Sequence, residues 1–199
     1  MVPRKTEHSS IGMRGEPLRR HVLDAAERLL RQGRADFSMR DLAAEAGVSF
    51  ATPFNQFGNK AAIMQALSIR RINTMETRYT AAPPSRDAKT RVLLAIDTAV
   101  AVMLENPDVN RTVMGWLGAA QASPGQTLSR STAFWALALG KGEGLTASRR
   151  EQALCCLPEQ LAFSFRGVLS FWTAGELSDA ALAPRARDMA SALLLAYLH

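Results

Sequence analysis

Cysteine is nearly absent: there are two in 199 residues, side by side at Cys155 and Cys156. Adjacent cysteines cannot staple distant parts of a chain, so a disulfide-built domain is excluded and a reduced, cytoplasmic protein is expected. Histidine is almost as scarce. His8, His21 and His199 lie far apart, and no His, Cys, Asp or Glu set has metal-ligand spacing, so no metal site is expected. No apolar run reaches the roughly eighteen residues of a membrane span, and the first residues lack the apolar core of a secretion signal. There is no nucleophile elbow. The GKGEG stretch at 140–144 has neither the spacing of a phosphate loop nor a strand before it. No catalytic residue, no cofactor and no enzymatic activity are read. β-Branched residues are sparse beside alanine, which favours helix over sheet.

What is present describes a globular chain, 47% hydrophobic and 21% charged. Net charge is +6, but it is unevenly spread. Residues 1–79 carry 13 Lys and Arg against 8 Asp and Glu, whereas residues 80–199 carry 11 against 10. Positive charge concentrated in one part of a chain suits a phosphate-binding surface, although a solvated basic face has the same composition.

The basic part contains the most informative stretch, residues 38–60, SMRDLAAEAGVSFATPFNQFGNK. Ser38 with Asp41 three residues on has capping-box spacing, which predicts a helix from Met39. Met39, Leu42, Ala43 and Ala46 then form one apolar stripe. Gly47 ends that helix, because glycine takes the left-handed conformation without a Cβ penalty. Ser49 is placed to cap a second, short helix that Gly58 and Asn59 interrupt. Helix, glycine turn and short helix make a helix-turn-helix, whose second helix enters the major groove of DNA.

The run AAEAGVSFATPFNQFGNK resembles the DNA-binding region of the TetR family of transcriptional regulators. The family's pattern is carried here by Ala46, Gly47-Val48-Ser49, Ala51-Thr52, Phe54, Asn55, Gln56-Phe57, Gly58-Asn59 and Lys60. Three positions depart from it: Phe54 replaces a tyrosine, Gln56 a histidine and Pro53 an aliphatic residue. The resemblance implies an all-α protein whose small N-terminal domain binds a double-stranded DNA operator. Ser38 and Lys60 are then expected at helix N-termini against phosphates. Phe54, having no tyrosine hydroxyl, can only pack on the sugar-phosphate backbone. Ser49, Phe50, Thr52 and Gln56 are candidates for base edges, with Ala51 and Asn55 beside them; each also has the plainer role of orienting the short helix.

Along the chain, residues 1–15 read as a mobile tail, 16–62 as the three-helix DNA-binding domain, and 63–199 as a larger helical domain. Pro17 opens a first helix with the stripe Val22, Ala25, Ala26, Leu29 and Leu30. Ala81-Ala82-Pro83-Pro84-Ser85 reads as a linker, since tandem prolines cannot continue a helix. Further helices are expected at 87–104, 108–122, 127–139, about 147–174 and 180–198. Leu154 and Leu157 flank the cysteine pair, which argues for core packing of Cys155 and Cys156 rather than a redox-sensing site.

The last two helices carry more apolar surface than one subunit hides easily. By resemblance they would pair in a homodimer through Leu161, Val168, Leu169, Trp172, Met189, Leu193 and Tyr197. Met103, Met114, Trp116, Phe134, Trp135, Phe163 and Phe165 admit two readings: plain core, or the lining of a pocket for a small apolar effector, as the family implies. The functional expectation is a repressor released from a pseudo-palindromic operator by such an effector. The alternative is a DNA-binding structural or adaptor protein that has none.

Overall fold

The computed structural model describes residues 15–83, 85–117 and 126–198. Among these, every regular element is helical. Nine α-helices follow one another: α1 (Glu16–Arg31), α2 (Met39–Glu45), α3 (Ala51–Phe57), α4 (Lys60–Ala81), α5 (Ala88–Leu104), α6 (Pro107–Leu117), α7 (Thr127–Leu139), α8 (Arg150–Thr173) and α9 (Asp179–Leu195). They fall into two compact units that divide between Asn59 and Lys60. The tail expected at 1–15, Gly15 aside, and residues 118–122 of the helix expected at 108–122 lie outside the described residues.

In the first unit α1 and α2 pack together and α3 packs on α2. The stripe Val22, Ala25, Ala26 and Leu29 is fully buried, as is Leu42 of α2, with Leu30 and Ala43 nearly so. The second unit is built on α8, which packs against α7 on one side and α9 on another, while α5 lies against α9, α4 and α7. Val92, Ala95, Ile96, Ala99 and Met103 recur at helical spacing and are buried together. Asp87 caps α5 by accepting from the Thr90 amide at 2.9 Å.

Helix ends leave carbonyls without intrahelical donors, and long polar side chains supply them here. Arg91 of α5 donates to the carbonyls of Ala138 and Leu139 at the end of α7, at 3.1 and 2.6 Å. The buried Asn110 donates to Val102 and Met103 at the end of α5, at 3.2 and 2.8 Å. Arg149 reaches Ala196 just past α9, at 2.8 Å.

Several sequence expectations need correction. The Ala81–Ser85 stretch does not separate the two units; it joins α4 to α5 inside the second. Proline there ends a helix, but α4 has already run 22 residues beyond the division. Cys155 and Cys156 are exposed, not core. On α8 the inward positions are Ala153, Leu157 and Leu161, four residues apart, and the cysteines fall on the other side. Leu161, Leu169 and Trp172 were expected between subunits, yet all three are buried in the core of their own chain. Trp172 is held there on both sides. Its indole donates to Asp179 at 2.7 Å, and the Arg111 guanidinium stacks 4.5 Å from the ring centroid. Val168, Met189, Leu193 and Tyr197 are half-buried against the same core.

Candidate nucleic-acid interface and interior cavity

The Ser38 capping box forms at the start of α2. The Asp41 amide donates to Ser38 Oγ at 3.2 Å and the Ser38 amide to Asp41 Oδ2 at 2.8 Å. Donation from the Ser38 amide and hydroxyl, helped by Arg34 at 3.2 Å, holds the Asp41 carboxyl below its usual pKa. The same bonding commits the Ser38 hydroxyl, which also donates to Asp41 Oδ2 at 2.8 Å. At the far end Gly47 has φ 62°. The Gly47 amide bonds to Ala44 and the Val48 amide to Ala43, the two closing bonds of a left-handed helix cap. The turn into α3 is thereby fixed.

The start of α3 differs from expectation. Ser49 does not cap it through its side chain; its hydroxyl pairs with that of Thr52 at 2.8 Å. Phe50 occupies the cap position with helical dihedrals, so the turn is already wound when Ala51 is reached. The Thr52 amide is satisfied by the Ser49 carbonyl at 2.9 Å. Pro53 is the third helical residue, where an amide proton would have no intrahelical acceptor, so its missing N–H costs nothing. It is buried, as is Phe57.

Three basic side chains of α1 hold the carbonyl ends of both short helices. Arg28 bonds Glu45 twice, through Nε to the carboxylate at 2.6 Å and through Nη2 to the carbonyl at 3.1 Å. His21 Nε2 donates to the Ala46 carbonyl at 2.7 Å. Arg19 donates to the Gln56 carbonyl at 2.7 Å and lies over the Phe57 ring at 4.2 Å. Donors that are cationic also suit the negative end of a helix dipole. Sequence periodicity placed Arg19 and Arg28 off the apolar stripe of α1 and went no further; their spacing gives no hint of which carbonyls they reach.

With Pro53 and Phe57 turned inward, α3 turns Phe50, Ala51, Phe54 and Asn55 outward, while Thr52 and Gln56 sit half-buried at its flank. Phe50 and Phe54 are 53% and 41% exposed and stack edge to face at 5.3 Å. The Arg40 guanidinium lies 5.6 Å from the Phe50 ring. An exposed aromatic pair bordered by arginine has no packing role of its own. Lys60, the first residue of α4, belongs to the second unit, where its ammonium lies 5.1 Å from the Trp116 ring centroid.

Inside the second unit is a cavity of about 370 Å³. Six of the seven apolar residues singled out from sequence line it: Met103, Met114, Phe134, Trp135, Phe163 and Phe165. Trp116 does not; it is 36% exposed and pairs with Lys60. Trp135 stacks on Phe134 at 4.9 Å and on Phe165 at 5.3 Å, which gives the cavity a rigid aromatic wall. Its polar lining, including Arg71, Asn110, Thr127 and Arg166, was not singled out from sequence. The available signal was Arg166, the lone charge in LAFSFRGVLSFW.

Residues 22–67 match the family described as bacterial regulatory proteins, tetR family. No curated protein matches the chain. Solved structures of the same fold include a TetR transcriptional regulator from Rhodococcus sp. RHA1, 18% identical over 90% of this chain and 97% of that one, with a TM-score of 0.71. The TetR family repressor AlkX from Dietzia sp. strain DQ12-45-1b, implicated in biodegradation of n-alkanes, is 21% identical over 92% of this chain and 97% of its own, with a TM-score of 0.56. The TetR family transcriptional regulator PfmR from Thermus thermophilus is 18% identical over 87% of this chain and 96% of its own, with a TM-score of 0.52. At these identities the likeness establishes the fold.

The α1 clamp makes a local prediction. Arg19→Ala removes the donor at Gln56 and the cation over Phe57, so amide hydrogen exchange across Ala51–Phe57 should quicken while that of α5 stays unchanged. Unaltered exchange in α3 would show that apolar packing alone positions it.

Proposed function

We propose that this chain is a transcriptional regulator of the TetR family, whose model its residues 22–67 match, and that it works as a homodimeric repressor, released from a pseudo-palindromic operator by a small apolar effector. The observation that carries the reading is the outward face of α3: Phe50, Ala51, Phe54 and Asn55 are exposed on a short helix whose far end is clamped. Phe50 and the Thr52 methyl suit a thymine methyl, Asn55 and Gln56 suit adenine, and Phe54 suits the sugar-phosphate backbone. Lys60 is the phosphate candidate from sequence. The cavity in the second unit supports an effector over the adaptor reading, since an adaptor has no use for an open, aromatic-walled interior. An occupant would act by favouring one of two arrangements of the reading heads.

For the homodimer, support comes from apolar residues that their own chain leaves uncovered on α8 and α9: Phe163, Phe171 and Leu195. Together with the half-buried Val168, Met189 and Leu193 they would supply the centre of an interface of standard size, roughly 1,600 Å². Phe171 is 59% exposed, so Phe171→Glu should keep the thermal midpoint of the fold yet halve the native mass in sedimentation. A Phe171→Glu protein with the parent's mass would remove α8 from the interface.

DNA readout separates two residues. A phosphate is the same at every base step, so Lys60→Ala should weaken operator and scrambled duplexes alike and lower the log–log salt slope by about one. Gln56→Ala should cost on the order of 1–3 kcal/mol on the operator and little on scrambled DNA. Titrating both variants across a salt series, on an operator selected from random duplexes, checks this. Equal losses on both duplexes for Gln56→Ala would make Gln56 a backbone contact.

A further inference from the structure

The polar groups of the cavity are unevenly matched. Arg71 Nε donates to Asn110 Oδ1 at 2.8 Å, so that guanidinium is anchored to the end of α5. Arg166 has no comparable partner among the described residues. Within them its guanidinium donates only to Met114, to the carbonyl at 3.1 Å and the sulfur at 3.2 Å, so three of its five N–H donors are uncommitted there. No Asp or Glu is among the described residues that line the cavity. Arginine nevertheless stays charged, and burial pushes its pKa below the usual value, the mark of a cation held in partly dry surroundings without an anion. Trp135 and Thr127 also line the cavity, and Trp135 Nε1 and Thr127 Oγ1 are buried with no hydrogen-bond partner among the described residues. A guanidinium that lines a cavity with donors to spare and no carboxylate beside it is placed to take an acceptor from outside the chain.

We infer that the cavity takes an apolar carboxylate, whose anionic head meets Arg166 while its body lies among Met103, Phe134 and Phe165. A neutral hydrocarbon would leave the guanidinium as it is, and a cation would be repelled by two arginines. A carboxylate offers about four lone-pair sites in one plane, the geometry a guanidinium fork accepts bidentately. The inference rests on the effector reading above and narrows it to a ligand class.

The test uses a pair of probes that differ only in charge, 2-naphthoate and 2-naphthamide, titrated into the full chain by calorimetry. Parent protein should bind the carboxylate at least about tenfold more tightly than the amide, as a charge-assisted bond to a half-buried arginine allows. In Arg166→Gln that preference should vanish while naphthamide affinity is unchanged, which shows the cavity intact; Arg166→Lys should keep most of the preference. Equal affinities in the parent, or a preference that survives Arg166→Gln, would overturn the carboxylate assignment and leave a neutral effector standing. If neither probe binds, nor the uncharged fluorophore N-phenyl-1-naphthylamine, the effector reading itself fails and the assignment with it.

Discussion

The reading head depends on carbonyl groups that its own short helices cannot satisfy. Seven-residue helices such as α2 and α3 have few internal hydrogen bonds and are marginal in isolation. Here a neighbouring helix completes them: Arg28 and His21 close the end of α2, and Arg19 closes the end of α3. Each bond is individually modest, about 1 kcal/mol for neutral pairs and more where the donor is charged. Their combined effect is positional. They fix where each helix ends, the capping box fixes where α2 begins, and Gly47 fixes the turn between them. The outward face of α3 is what remains, so an aromatic pair can stand exposed without collapsing onto the domain.

The second unit follows the same rule with a different outcome. Arg91, Asn110 and Arg149 complete helix ends and are committed in doing so. Arg166, which lines the cavity, commits only two of its five donors among the described residues. A half-buried cation with no carboxylate beside it holds unfavourable solvation, which a suitable anionic occupant relieves. That relief is differential binding energy, the only means by which a ligand shifts a conformational equilibrium.

The sequence carried much of this in local chemistry. Ser38 and Asp41, Gly47 and Asp87 each act within three or four residues of themselves, and the helix starts and stops they mark are legible for that reason. Helical spacing likewise grouped Val92 through Met103 correctly. Spacing does not say what a face meets. Leu161, Leu169 and Trp172 belong to an apolar stripe that covers its own chain, while Phe171, two residues from Leu169, is left outside. The cysteine pair failed for a related reason: neighbours on a helix point about 100° apart, so Leu157 is buried and Cys156 is exposed. Trp116 was grouped with the cavity by residue type, yet its partner is Lys60. Contacts between residues 37 apart in the chain, such as Arg19 with Gln56, leave no trace in local pattern.

We propose that occupancy of the cavity in the second unit governs the affinity of the first unit for DNA. Fluorescence anisotropy on a selected operator, measured while an occupant of known affinity fills the cavity, addresses it directly. Coupling of the usual 1–3 kcal/mol predicts that operator affinity falls about 5- to 150-fold at saturation, with the midpoint of the fall at the occupant's own dissociation constant. Operator affinity that stays constant from empty to saturated cavity would contradict the claim.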